Sequence, residues 1–183
     1  MLRKIASRAL DRLTDVIYPL FHASLERELL EDYRSFGVEA NNVCNARCSF
    51  CPYRLDYDKR GKGIVEDKVL EHSLKLLKKS GKCSFSFITI LGDPFTDKDF
   101  LRKVALVKSE PQVTDINIYS NLIGLDNYNV DEVVTSGVTV LNISTCLGGR
   151  EMYKRLFGVD KYEHVMANLM TMLEANKRHG NPV

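Results

Sequence analysis

The chain predicts an α/β fold in which parallel strands alternate with helices, joined by right-handed crossovers. Short β-rich runs alternate with stretches whose apolar residues recur at helical spacing. Polar and glycine punctuation follows each strand run, and in parallel α/β barrels chemistry gathers at those carboxyl ends. No exact repeat, low-complexity tract or interdomain linker interrupts the 183 residues, enough for one domain with a real core.

Residues 1–34 read as an N-terminal helical extension, with Leu2, Ile5, Ala9, Leu13, Val16, Ile17 and Leu20 at helical spacing and an interruption at Pro19. A packing helix explains this pattern. Arg3, Lys4, Arg8 and Arg12 leave open an amphipathic face for a membrane or partner, or a presequence. From residue 35 to 183 a barrel-like domain follows. Its first strand is expected over 35–42, with Glu39 and Asn41 on one face where they need partners. A helix over 65–80 carries Val69, Leu70, Leu74 and Leu77 on one side and is stopped by Gly81. The second strand runs over 83–91, and the next helix has Asp97 as N-cap and Phe100, Leu101, Val104 and Ala105 inside it. The third strand spans 113–120. Asn129 and Glu132 form a capping box for a short helix closed by Gly137. A fourth strand over 138–145 leads to Asp160 and Glu163, a second capping-box pair opening a helix that ends at Gly180 and Pro182.

Composition excludes several functions. Lys and Arg number 26 against 24 Asp and Glu, so there is no basic field for nucleic acid. No apolar run reaches the ~18 residues of a transmembrane helix. Five cysteines, three of them clustered, suit a reducing cytoplasm low in oxygen better than a disulfide framework.

The cluster is the most informative segment. Cys44, Cys48 and Cys51 stand at C-x3-C-x2-C spacing with Phe50 before the third. Three thiolates on one loop can hold three irons of a [4Fe-4S] cube and leave the fourth iron open to a ligand. A structural zinc site needs four ligands, usually a second pair, and Cys83 and Cys146 stand alone in apolar runs. Taken singly, the other candidates have plain structural readings. Gly92-Asp93-Pro94 is a turn, Asn121 ends a strand, Ser144 is a small inward residue, and Arg155 is a solvated charge.

Together these segments resemble a known family. Val38 through Pro52 around the three cysteines, Leu91-Gly92-Asp93-Pro94-Phe95, Tyr119-Ser120-Asn121 and the stretch 142–168 are similar, in order and spacing, to the amino-terminal part of radical S-adenosylmethionine (radical SAM) enzymes. The likeness is to the branch with auxiliary-cluster domains of the SPASM or twitch type.

The resemblance implies that Cys44, Cys48 and Cys51 ligate the cluster and that the methionyl amine and carboxylate of SAM occupy the open iron. It places Phe50 beside the adenine. Gly92, Asp93 and Pro94 stand where the family has Gly-Gly-Glu-Pro, with Leu91 for the first glycine and Asp93 for the glutamate. Asn121, Ser144 at ribose or the methionyl group, and Arg155 at the SAM carboxylate complete the expected site. A reduced flavodoxin or ferredoxin would deliver one electron, SAM would split to methionine and a 5'-deoxyadenosyl radical, and that radical would take hydrogen from an unidentified peptide or small molecule. Four βα units are legible where the family barrel has six. The expected fold is therefore a partial barrel, either the catalytic amino-terminal portion or a non-catalytic Fe-S/SAM-binding module, able to self-associate or join a complementing subunit.

Overall fold

A computed structural model describes residues 17–19, 22, 24, 35–52, 59–88 and 90–183. The expected extension over 1–34 lies almost wholly outside the described residues. From residue 35 the order is β1 (Ser35–Glu39), α1 (Asp67–Leu77), β2 (Cys83–Ile88), α2 (Phe100–Lys108), β3 (Val113–Ser120), α3 (Val130–Thr135), β4 (Val140–Ile143), α4 (Arg150–Phe157) and α5 (Tyr162–Arg178). All four strands are parallel, in the order β1-β2-β3-β4, and form a partial (βα) barrel.

Period-two alternation turns one face of the sheet toward the helices. Cys83, Phe85 and Phe87 of β2 and Ile116 and Ile118 of β3 are buried there. Leu70, Leu74 and Leu77 of α1, Phe100, Val104 and Val107 of α2, and Val165 and Met172 of α5 belong to the same core. Phe85, Phe87 and Phe100 meet edge to face at 5.2 and 5.0 Å, and truncating one such ring to alanine costs about 3–5 kcal/mol. The opposite face carries Ser86, Asn117, Tyr119 and Asn142, so the strands lift polar groups and loops toward one end without emptying the core.

Several local expectations change. The strands are shorter than their apolar runs, because β1, β2 and β4 end where the chain turns into the loops above the sheet. The helix ahead of Gly81 ends at Leu77, whose carbonyl accepts the Ser80 hydroxyl at 2.7 Å, so Ser80 terminates it. Asn129 caps α3 by accepting from the Asp131 N–H, and Gly137 follows at φ +105. A whole helix, α4, lies in the segment that sequence periodicity left unassigned. Asp160 does not cap α5; its carboxylate takes Arg150 through two bonds of 2.8 Å.

Asp97 likewise does not cap α2, which starts after Asp99. Its Oδ2 pairs with Lys103 Nζ at 2.5 Å with both side chains buried, while Oδ1 accepts from the Asp99 N–H at 2.9 Å. The Tyr128 hydroxyl donates to the Asp97 carbonyl. This cluster anchors the start of α2 beneath the loop that follows β2. Because a buried charge stripped of its partner keeps its desolvation cost, Lys103→Met should lower stability by about 3–5 kcal/mol. Adding Asp97→Asn should recover part of the loss in chemical denaturation, and a single variant as stable as wild type would rule out the pair as an anchor.

Candidate functional site

The loop after β1 is shaped by side chains that satisfy backbone groups. Asn41 accepts from the Val43 N–H at 3.0 Å and donates to the Asp93 carbonyl at 2.9 Å. Asn42 donates to the Gly61 carbonyl at 3.0 Å and accepts from the Gly63 N–H at 2.7 Å. Glu39 is held by Arg60 through bonds of 2.5 and 3.1 Å. Both residues expected to need partners on the first strand therefore have them.

The far side of the cysteine loop docks on the end of α4. Terminal helix carbonyls lack partners within the helix. Here the Arg47 N–H donates to the Phe157 carbonyl at 2.9 Å and the Ser49 N–H to the Leu156 carbonyl at 2.8 Å. Gly158 closes α4 at φ +68, and a Cβ on it would collide with the Arg47 carbonyl. The helix end and the loop thus share backbone hydrogen bonds at a distance only glycine allows.

Asp93 joins this loop to the two that come after it in the chain. Its backbone N–H donates to the Val43 carbonyl at 2.8 Å. Its carboxylate accepts from the Phe95 N–H at 3.0 Å, the Asn121 N–H at 2.7 Å, and the Ser120 hydroxyl at 3.2 and 3.0 Å. Burial pushes the carboxyl upward from its ordinary range, against the downward pull of those bonds. Gly92 passes so close to Asn41 that a Cβ there would strike both its side chain and its carbonyl, so this glycine is required by packing.

The turn after β3 is strained and clamped. Leu122 is fully buried at φ 62, a left-handed conformation that costs a non-glycine residue about 1–3 kcal/mol. From α5, Asn168 donates to the Leu122 carbonyl at 2.8 Å and the His164 ring meets the Ile123 carbonyl at 3.0 Å. The turn aims the Asn121 amide at Asn45 Oδ1, 2.9 Å away, and at the Cys44 sulfur, 3.8 Å away.

Above the strand ends these loops enclose an open cavity of about 230 Å³. Cys44, Cys48, Cys51, Phe50, Gly92, Asp93, Asn121 and Ser144 border it. Pro94 lies buried beneath the loop, as the first residue of a 3-10 turn. Arg155 does not border the cavity. Tyr153 and Phe157, one helical turn apart, form the buried face of α4, and Arg155 between them points away into solvent. Sequence reasoning missed Phe157, Ile90 and Tyr119, which also line the cavity. Their signals were slight: Ile90 lies just past β2, Tyr119 near the carboxyl end of β3 in the Tyr119-Ser120-Asn121 segment, and Phe157 at the end of α4. Leu91 is buried against the cavity wall, so it does not crowd the opening.

The three cysteine thiols meet at this cavity. All three are free and half-buried at the cavity. Burial pushes Cys44 up, and burial together with its two fellow thiols pushes Cys48 up to about 11, so these two thiols keep their protons at neutral pH and a bound cation has to displace them. Among the described residues no three His, Cys, Asp or Glu groups are drawn tightly enough for a single metal ion.

Residues 38–182 match the Radical SAM superfamily. The GTP 3',8-cyclase of Pasteurella multocida (strain Pm70) is 26% identical over 148 residues, covering 78% of this chain and 42% of the relative. The chain thus spans less than half the length of that relative. Native anSMEcpe with bound AdoMet superposes with a TM-score of 0.65 at 20% identity, covering 79% of this chain and 41% of that one. BtrN in complex with AdoMet and 2-DOIA gives 0.52 at 23% identity, covering 71% and 54%. These superpositions share the partial barrel.

If Asp93 is the clamp between loops, Asp93→Ala leaves three buried donors without an acceptor and should cost roughly 2–5 kcal/mol in denaturant melts. Ser144→Ala, at an exposed position, should change stability by no more than about 0.5 kcal/mol. Equal effects of the two substitutions would remove Asp93 from that role.

Proposed function

The chain belongs to the radical SAM superfamily, and on that premise we propose that residues 35–183 are the amino-terminal, cofactor-holding part of an enzyme that cleaves S-adenosylmethionine. The observation that carries this reading is the convergence of Cys44, Cys48 and Cys51 with the loops after β2, β3 and β4 on one cavity. The superfamily works with a [4Fe-4S] cluster and SAM. When bound, that pair supplies, on one-electron reduction, a 5'-deoxyadenosyl radical able to take hydrogen from a substrate.

The residues of this chain would divide the work among themselves. Cys44, Cys48 and Cys51 hold three irons, and Asn121 steadies the Cys44 sulfur through its amide. Gly92 would offer its backbone to the methionyl amine, the Asp93 N–H and carbonyl being taken by Val43, Asn41 and Thr96, while Phe50, exposed at the rim and edge-on to Phe157 at 5.9 Å, gives the adenine an apolar platform. Ser144, on the border of the cavity, would meet the ribose or methionyl group. Arg155, on the solvent face of α4, would serve only if the helix turned, so the SAM carboxylate is better met elsewhere. The reading includes an electron donor of the flavodoxin or ferredoxin type, a substrate that is a peptide or small molecule, and a cytoplasmic setting. Among the described residues, no helix is long and apolar enough to cross a membrane.

One observation favours a second reading, a non-catalytic cluster- and SAM-binding module. The Asp93 carboxylate is spent on bonds inside the protein, leaving less of it for the SAM amine than an unengaged carboxylate would offer. Anaerobic loading separates the readings. The wild-type chain should take up four irons and sulfides, and its reduced electron paramagnetic resonance (EPR) spectrum should change when SAM is added, with 5'-deoxyadenosine released if it is an enzyme. A variant with Cys44, Cys48 and Cys51 all replaced by alanine should hold no cluster. Uptake of zinc alone, or an unchanged cluster in that variant, would sink the superfamily chemistry; a SAM-dependent spectrum without 5'-deoxyadenosine would leave the binding module.

The outer edge of β4 completes the proposal. Among the described residues β4 pairs only with β3, so its other edge offers unbonded backbone groups of the kind that recruit another strand. We propose that this edge pairs with a second copy or a complementing subunit. Light scattering after size exclusion should then show the isolated chain larger than a monomer, and a monomer with a high, cooperative melting temperature would refute the pairing.

A further inference from the structure

One donor beside the site is left without a use. Tyr153 on α4 is fully buried, and its hydroxyl has no hydrogen-bond partner among the described residues. Leaving a buried polar group unpaired costs about 1–3 kcal/mol, which is why native structures rarely do so. Nothing about the ring is loose. It stacks on Phe157 with centroids 4.6 Å apart and planes at 11°, and Tyr162 packs at 6.0 Å. Phe157 borders the cavity, and the carbonyls of Leu156 and Phe157 are bonded to the cysteine loop. A rigid donor is therefore held by the same helix end that shapes that loop.

The surroundings indicate where its acceptor belongs. Cys48 lies between Arg47 and Ser49, the two residues whose N–H groups are bonded to the end of α4 within a turn of Tyr153, and burial, followed by the charges of Cys48, Asp93 and Cys44, pushes the phenol up to about 12. Asp93 already accepts from Phe95, Ser120 and Asn121. Cys44 already accepts from the Ala46 N–H at 3.5 Å and the Asn121 amide at 3.8 Å. The Cys48 corner remains.

We propose that Tyr153 is a positioning residue whose hydroxyl donates a hydrogen bond to sulfur at the Cys48 corner of the bound cluster and thereby makes its reduction easier. The inference rests on the cluster reading above. Adding an electron makes the sulfurs more negative, so a fixed donor stabilises the reduced form more than the oxidised form and raises the potential. The hydroxyl is then unpartnered in the protein because its acceptor comes with the cofactor.

The test is Tyr153→Phe in the anaerobically loaded chain, which removes one oxygen and keeps the ring stack. Iron and sulfide content should stay at four each, and redox titration followed by EPR should show the one-electron reduction about tenfold less favourable, a shift of about 59 mV to lower potential. A fully loaded variant with an unchanged potential overturns the inference and leaves the cluster reading standing. A wild-type chain that assembles no [4Fe-4S] cluster overturns both. Should the variant fail to assemble, the wild-type chain carries the test instead. Tyrosine labelled with oxygen-17 in its hydroxyl should then show coupling to the reduced cluster in pulsed EPR, and absence of that coupling overturns the proposal.

Discussion

The site depends on one carboxylate. Asp93 sits at the end of the second strand with its backbone tied to the loop after β1 and its side chain tied to the turn after β3. Each strand end alone would leave a flexible loop, because parallel strands bring their carboxyl ends to one level without fixing the segments beyond them. A single acidic group taking backbone and hydroxyl donors from two segments turns three loops into one surface. Its buried position raises its cost and also its leverage, since the same low dielectric that opposes ionisation strengthens each bond it makes.

Much of the layout was legible because it is written in periodicity. The alternation in Cys83-Ser84-Phe85-Ser86-Phe87 marks a strand with one buried face, and the spacing of Leu70, Leu74 and Leu77 marks a helix lying on it. The cysteine spacing pointed to three thiols that the fold brings to one cavity. Short-range capping signals were less reliable. Asp97 has the look of an N-cap, but a buried lysine six residues on competes for its carboxylate and wins by satisfying both charges. Helix α4 escaped notice because Arg150–Phe157 buries only Tyr153 and Phe157, too few apolar positions to display a period.

Contacts distant in sequence were not legible at all. Nothing local says that Asn168 and His164 will hold the turn at Leu122, or that Leu122 will tolerate a left-handed backbone because its side chain is buried and its carbonyl is bonded. The Gly-Gly-Glu-Pro comparison put Asp93 in the place of the glutamate without saying where its carboxylate goes, and its oxygens turn inward to the protein. A side chain shorter by one methylene reaches the neighbouring strand end, and the backbone of the same residues stays at the cavity.

The docking of the cysteine loop on α4 also sets an order of assembly. Ser49 finds its acceptor at Leu156, 107 positions later in the chain. During synthesis the three thiols leave the ribosome early, yet the loop that spaces them gains its second wall only after Gly158 has emerged. Until then the bonds from Arg47 and Ser49 to the end of α4 cannot form. The loop thereby takes its final shape only after all four strands of the sheet have been made.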